Sequence, residues 1–469
     1  MRTRSAFFAL AALPVLALVA PRDARACGGC FGPPTETDDV VTDHRMVLSV
    51  SPQQTTLYDE IKYSGSPSSF AWVLPISGQV TIGISADAVF DTLDSLSATT
   101  VSPPPVTCPG PPEGCAQFAA PSGSADVGGG SSSGGVNVTN AQVVGPYQTV
   151  QLQSTDAKAL DNWLTTNGYA ITADIEPVIA AYVQQGSDFL AMKLVPGAGV
   201  QSMRPVRVSF QGASPTLPLR MVAAGTGATV GITLWIVGDG RWEPSNFPWF
   251  RIDDSELVWD WSKSDSNYTT LEQQKEAAAN NATWEVQASL DENIASVSSQ
   301  IQSISQYGYY GGSSGGSSGV GGGASGADNY EPIAASGSNP GETADQVEQD
   351  DVTALFTGIQ NGQFRLTRLR ADLARAALAN DLQLQAATDQ GVLTNVRVAA
   401  QSANGPLCPV YQGCSVVGQA VYTPGSSGGG AAFGCTTAAA KVPFDATAAF
   451  AAALGLLAVG GVASRRRRR

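Results

Sequence analysis

The chain has 469 residues and a formal net charge of −14, with 43% hydrophobic but only 14% charged residues. That length supports two to four domains and at least one sizeable core. Gly and Pro together number 79, about 17%, short of the roughly 25–30% that marks wholesale disorder. An acidic surface also disfavours nucleic acid as the main ligand, because phosphate binding needs clustered cations.

The N-terminus reads as an address. Arg2 and Arg4 precede the apolar run 6–20, and Ala24-Arg25-Ala26 has the small-x-small pattern cut by signal peptidase. Residues 1–26 are therefore predicted to be a secretory signal, cleaved before Cys27. A main domain is expected over 27–265. In Thr55 to Tyr63 the residues Leu57, Ile61 and Tyr63 share one face by period two, and an apolar strand returns over 70–76 after a Ser-Gly-Ser-Pro turn. Val89, Phe90, Leu93 and Leu96 follow helical spacing, with Ser85 as the expected cap. Residues 101–141 are Pro-rich and then Gly/Ser-rich.

Pattern resumes at Val143. A strand over 148–153 leads to a helix capped by Thr155 and ended by Asn167-Gly168, then a helix from Glu176 with Pro177 in its first turn. Strands are expected at 188–195, 204–211, 217–224 and 228–237. A helical segment covers 266–305. Within it Leu290, Ile294, Val297, Ile301 and Ile304 form an amphipathic stripe. A Gly/Ser linker follows at 306–345, then a structured segment at 346–420 with strands at 364–369 and 382–386 around a short helix. That segment is either a separate domain or a return that completes the first sheet; about 75 residues make a small core, which favours return.

The C-terminus is a second address. A flexible tether, 421–435, ends in Cys435. In the last part, 436–469, residues 446–463 are apolar apart from Thr447 and precede Arg465–Arg469, as in a transmembrane helix with a cytoplasmic basic tail. Setting aside the leader and the Arg tail leaves 17 cations against 39 acids, so the exported body carries about −22.

Seven cysteines are present, six of them in short-range pairs: Cys27 with Cys30, Cys108 with Cys115, and Cys408 with Cys414. In an exported chain these predict local disulfides. Cys27 and Cys30 also form a C-x-x-C, a pattern used by redox centres. No strand precedes it and Pro33-Pro34 follows, so a structural role is favoured. Spacing for a zinc site is absent.

Catalytic chemistry is hard to find. The single histidine, His44, stands beside Asp43 on a strand with no nucleophile in view, and a surface or structural role is expected. Two G-x-S-x-G matches at 311–319 are products of composition, not of a strand-to-helix elbow. Asp253-Asp254 and the acidic run 345–351 lack calcium-loop spacing. No catalytic residue, metal or cofactor is assigned. Trp235, Trp242, Trp249, Trp259 and Trp261 cluster in sequence; packing is favoured for them, with Trp242 and Trp249 as candidates for a glycan platform. Arg365, Arg368, Arg370 and Arg375 are expected to pair with the chain's own acids.

Two resemblances follow from these residues. Gly434-Cys435, a spacer, an apolar run and an Arg cluster resemble the MYXO-CTERM sorting signal of myxobacterial surface proteins. That likeness implies processing by a membrane protease and anchoring through Cys435. The Cys-Gly-Gly start, 63–75 (YSGSPSSFAWVLP), 150–169, 191–196 and Gly238-Asp239-Gly240-Arg241 resemble the uncharacterised secreted bacterial family, domain of unknown function 2330, which has no established activity. The combined expectation is an α+β fold, mainly antiparallel sheet with a few short helices plus a C-terminal transmembrane helix. Its role would be that of a cell-surface binding or structural module, with a thiol–disulfide oxidoreductase or a glycan binder as alternatives.

Overall fold

The computed structural model describes residues 30–31, 40–64, 71–106, 108, 142–169, 171, 173, 175–196, 203–224, 227–307, 342–412 and 414–421. The predicted signal peptide, Cys27, Cys115, most of the 306–345 linker, Cys435 and the 436–469 sorting signal lie outside the described residues. The described part is mixed α and β, mostly sheet, with seven α-helices: α1 Asp87–Ser97, α2 Ala157–Thr166, α3 Glu176–Gln184, α4 Leu219–Val222, α5 Tyr268–Ala278, α6 Ile294–Tyr307 and α7 Ala344–Phe356. Among the described residues no helix is long and apolar enough to cross a membrane.

Two sheets carry the core. The larger has eight strands in the order Trp249–Phe250, Trp284–Asn293, Gln363–Ala374, Thr229–Gly238, Val40–Val50, Gln54–Ser64, Val206–Gln211 and Thr81–Ile84. Most of its ladders are antiparallel, but Val40–Val50 runs parallel to Thr229–Gly238 and Trp249–Phe250 parallel to Trp284–Asn293. The smaller sheet has five strands in the order Cys30–Phe31, Ala71–Ile76, Asp188–Leu194, Tyr147–Leu152 and Gln142–Val144, all antiparallel.

Strand alternation splits the smaller sheet between two cores. Trp72, Leu74 and Ile76 join the main core with Leu48, Ile232 and Leu234 of the larger sheet. Their neighbours Ala71 and Val73 pack instead with Leu160 and Leu164 of α2 and Ile179 and Tyr182 of α3. The smaller sheet is thus roofed by α2 and α3 on one face and packed on the larger sheet by the other.

The Gln363–Ala374 strand pairs on one side with Thr229–Gly238 over ten residues and on the other with Trp284–Asn293. The chain therefore re-enters the middle of its main sheet after the 308–341 segment.

Several local expectations change. Residues 217–224 are not one strand: Thr216–Leu217 pairs with Leu382–Ala386, and α4 follows. Leu290, the first member of the predicted helical stripe, lies in the Trp284–Asn293 strand, while Val297, Ile301 and Ile304 are buried on α6. The 364–369 strand is twice its expected length, because Ala371 and Leu373 also face the core.

Capping differs too. Ser85 does not cap α1; its hydroxyl donates to Asp351 Oδ2 at 2.6 Å. Asp156, not Thr155, caps α2, accepting from the Lys158 and Ala159 amides at 2.9 and 3.4 Å. Asn167-Gly168 does end α2: Gly168 has φ +88°, and the Tyr169 amide returns to the Leu164 carbonyl.

The disulfide pairing is corrected. Cys108 is bonded to Cys408, 300 residues away, and not to its near neighbour in sequence. Cys414 is also disulfide-bonded, and its predicted bond to Cys408 does not form. Spacing misleads here because the Thr100–Ser102 and Val396–Val398 strands pair in parallel, bringing the chain after each to the same place. Closing so long a loop restricts the unfolded ensemble by about 5–6 kcal/mol in the chain-entropy picture. Replacing Cys108 and Cys408 together by Ser is predicted to lower the unfolding free energy by about 2–5 kcal/mol. Denaturant titration with and without reductant checks this; identical curves for the two redox states of the native protein would refute it.

Candidate functional site

The chain's most unusual chemistry lies on the helix-facing side of the larger sheet, where charged side chains stand in place of apolar ones. Trp235 is fully buried and donates from Nε1 to Ser97 Oγ at 2.9 Å. The Arg45 and Arg368 guanidiniums lie 5.6 and 5.2 Å from its ring centroid. Arg45 pairs with Glu60 at 2.9 Å and Asp91 at 3.0 Å. Arg368 pairs with Asp94 at 2.6 Å and donates to Gln287 Oε1 at 2.8 Å. Arg370 meets Asp43 at 3.2 Å and Asp372 at 2.8 Å, and Arg365 meets Asp291 at 2.8 Å. These arginines are neutralised by the chain's own carboxylates.

Next to this row, α5 lays a second group of acids over the sheet. Glu272 and Glu276, four residues apart, share one helix face. Glu285 is fully buried, and its two oxygens lie 2.8 and 2.9 Å from Tyr268 Oη. Gln287 Nε2 donates to Glu285 Oε2 at 3.2 Å, and Glu276 accepts the Asp372 amide at 2.9 Å. Burial, and then the charge of Glu285, push the Glu272 carboxyl up to about 8, against the pull of Arg370. Burial pushes Glu276 up to about 7, opposed by the Asp372 amide. Burial also raises Glu285, opposed by the hydrogen bonds from Tyr268 and Gln287. Glu272 therefore keeps its proton for the most part at neutral pH, while Glu276 is divided between its two forms. Chemically the group is a proton reservoir, and its oxygens accept hydrogen bonds from Tyr268, Gln287 and the Asp372 amide of the same chain.

His44 occupies the opposite face. It is fully buried, and its Nδ1 lies 3.0 Å from Asp59 Oδ1. Burial works against its charge, but Asp59 and then Asp43 outweigh that and raise its pKa. With Met46, Leu57, Trp72, Leu217 and Met221 it lines a cavity of about 20 Å³, room for one water.

The tryptophans are dispersed. Trp235 is in the core, and Trp242 pairs with Ala386. Its Nε1 would lie 2.9 Å from a Cβ placed at Gly238, so that position needs glycine. Trp249 pairs with Trp284 and is 40% exposed, while Trp259 and Trp261 stack edge-to-face at 6.2 Å. These positions belong to separate ladders, so Trp242 and Trp249 are not brought together on one ladder. Cys30 is paired in register with Trp72. Among the described residues no group of three or more His, Cys, Asp or Glu is placed to hold a metal.

Sequence reasoning missed the acids on α5. The available signal was the i, i+4 spacing of Glu272 and Glu276 followed by Glu285 and Gln287 in a strand.

A family model described as an uncharacterised protein conserved in bacteria, domain of unknown function 2330, matches residues 21–300. No curated protein matches the chain. Among solved structures, the crystal structure of baculovirus P35 aligns at 10% identity with a TM-score of 0.24, covering 44% of this chain and 66% of that one. A likeness of that size carries no argument.

The linkage has one sign. Each raised carboxyl contributes stability that is complete below its unfolded value, about 4.3, and that is lost as pH rises through its folded value. His44 acts in the same direction, losing its contribution above its own raised pKa. The thermal midpoint is therefore predicted to fall by roughly 5 °C between pH 5 and pH 8.5. Glu272→Gln, which keeps a neutral amide in place of the protonated acid, should flatten that slope. Calorimetry checks both; a flat native profile refutes the assignment.

Proposed function

The chain belongs to this uncharacterised bacterial family, and from that premise we propose that it is an exported, surface-anchored protein of the cell envelope acting as a non-catalytic binding or structural module. The observation that carries the reading is the Cys108–Cys408 bond, since cross-links of this kind persist in oxidising compartments. The predicted leader and the order of Cys435, apolar run and Arg465–Arg469 supply the rest of the route. Signal peptidase removes 1–26, a C-terminal sorting protease acts near Cys435, and the product stays on the membrane or cell surface. The non-catalytic part is supported by the polar layer, where arginines meet their own carboxylates and the raised acids bond to Tyr268, Gln287 and the Asp372 amide.

The test is intact-mass analysis of the protein released from the surface of whole cells. The expected product begins at Cys27, ends at or near Cys435 and carries an oxidised Cys108–Cys408 pair. Recovery of exported protein that still bears Arg465–Arg469, or of a reduced pair, would refute the route.

A further inference from the structure

Three other arginines are treated differently by the fold. Arg241 follows the Thr229–Gly238 strand, and its backbone is clamped: its amide donates to Gln390 Oε1 at 2.7 Å, and its carbonyl accepts from the Ala387 amide at 2.8 Å and Gln390 Nε2 at 3.1 Å. Its side chain is 5% exposed. The nearest carboxylates, Asp389 and Glu243, stand at 3.6 and 3.8 Å, and Nε and Nη1 have no hydrogen-bond acceptor. Arg397 is 1% exposed. Its Nη2 donates to the Gln287 carbonyl at 2.8 Å, while Nε and Nη1 have no acceptor. Arg251 is half-buried, and its Nε also lacks one.

The topology draws the three toward one edge. Phe250, the residue before Arg251, is in register with Glu285, two residues from the carbonyl that holds Arg397. The 387–397 segment runs from the clamp on Arg241 to Arg397, tied midway by the Ser289–Leu393 bridge. Burial depresses the Arg251 pKa, and the charge of Arg397, then that of Arg241 more weakly, add to it despite Asp253 and Asp254. Arg397 and Arg241 are thus both close enough to Arg251 to bear on its charge, Arg397 the more strongly. Five N–H-bearing atoms without acceptors are costly in a body so rich in acid. Along the Gln363–Ala374 strand Nε and Nη1 of Arg365 also lack an acceptor. There, however, Arg365, Arg368 and Arg370 each have a carboxylate, at 2.8, 2.6 and 3.2 Å, closer than either carboxylate beside Arg241.

We propose that Arg241, Arg251 and Arg397 form a binding site for an oxyanion, the phosphate, sulfate or carboxylate group of a small molecule or glycan. Guanidinium forks suit such groups because they donate two parallel hydrogen bonds to a planar or tetrahedral oxyanion. The inference deepens the binding half of the proposed function and does not depend on export or anchoring.

The experiment uses the full chain with its disulfides intact, titrated with sodium phosphate, sodium sulfate and sodium glucuronate at constant ionic strength set by chloride. Thermal midpoint and tryptophan fluorescence are read together; Trp249, two residues before Arg251, is the nearby reporter. At least one anion is expected to give a saturable response below about 10 mM, and the three arms distinguish phosphate, sulfate and uronate sources. Arg251→Gln and Arg397→Lys should each weaken that response at least about tenfold. If Arg397→Lys does not fold, Arg251→Gln decides, because its side chain is only half-buried. No saturable response to any of the three anions, or native-like affinity in Arg251→Gln, overturns the site. The mass analysis of the surface product is untouched by either result, so the two readings fail separately.

Discussion

The ladder between Thr229–Gly238 and Gln363–Ala374 holds the architecture together. Ten consecutive residue pairs join two stretches of chain more than 100 positions apart, and Trp284–Asn293 completes its pairing on the far side of the second strand. A strand at the centre of a sheet is covered on both faces, so its side chains must satisfy both. Leu369, Ala371 and Leu373 meet the apolar interior between the two sheets. Arg368 and Arg370 point the other way, beneath α1 and α5, and draw Asp94 and Asp43 to them. The late arrival of this strand also makes the fold rich in long-range contacts, which slows assembly because loop closure precedes the pairing that rewards it.

The helix-facing layer explains how so acidic a chain tolerates buried charge. Carboxylates are abundant, so a partner for each arginine on the central strand lies within reach. The leftover acids settle under α5. There their pKa values rise, Glu272 to about 8 and Glu276 to about 7, since burying a second carboxylate beside Glu285 with its charge intact is costly. The layer joins the helices to the sheet by directed bonds, where an apolar layer would have joined them by packing alone.

What the sequence disclosed was chiefly local. The period-two run Val206–Gln211, the continuous apolar run Thr229–Gly238 and helix α3 with Pro177 in its first turn are legible because burial of one face or of both writes itself into the residue pattern. The mixed, sheet-dominated class follows from the same runs, and the family from the quoted motifs. Long-range information is where spacing falls silent. Nothing near Gln363 says which strands will flank it, and the six-residue gap between Cys408 and Cys414 invites a bond that the parallel Thr100–Ser102 and Val396–Val398 pair redirects to Cys108. Leu290 kept a helical period by coincidence: a strand residue four positions before the first residue of α6 extends the stripe by one. Glu285 and Tyr268 match no motif, since their behaviour comes from enclosure and not from order along the chain.

The Cys108–Cys408 bond has a mechanical meaning as well as a thermodynamic one. A pull applied to the two ends of the chain passes through this covalent bridge and bypasses everything between its two cysteines. The central strand, both of its ladders, the acids under α5 and the clamped arginines all lie inside that closed ring, off the line of tension. Only the segments before Cys108 and after Cys408 bear load, and among the described residues the strand Cys30–Phe31 at one end and the strand Ser415–Val421 at the other are the first it would reach. A cut anywhere in the ring likewise leaves its two sides covalently joined, so the body stays one piece for as long as the bond stays oxidised.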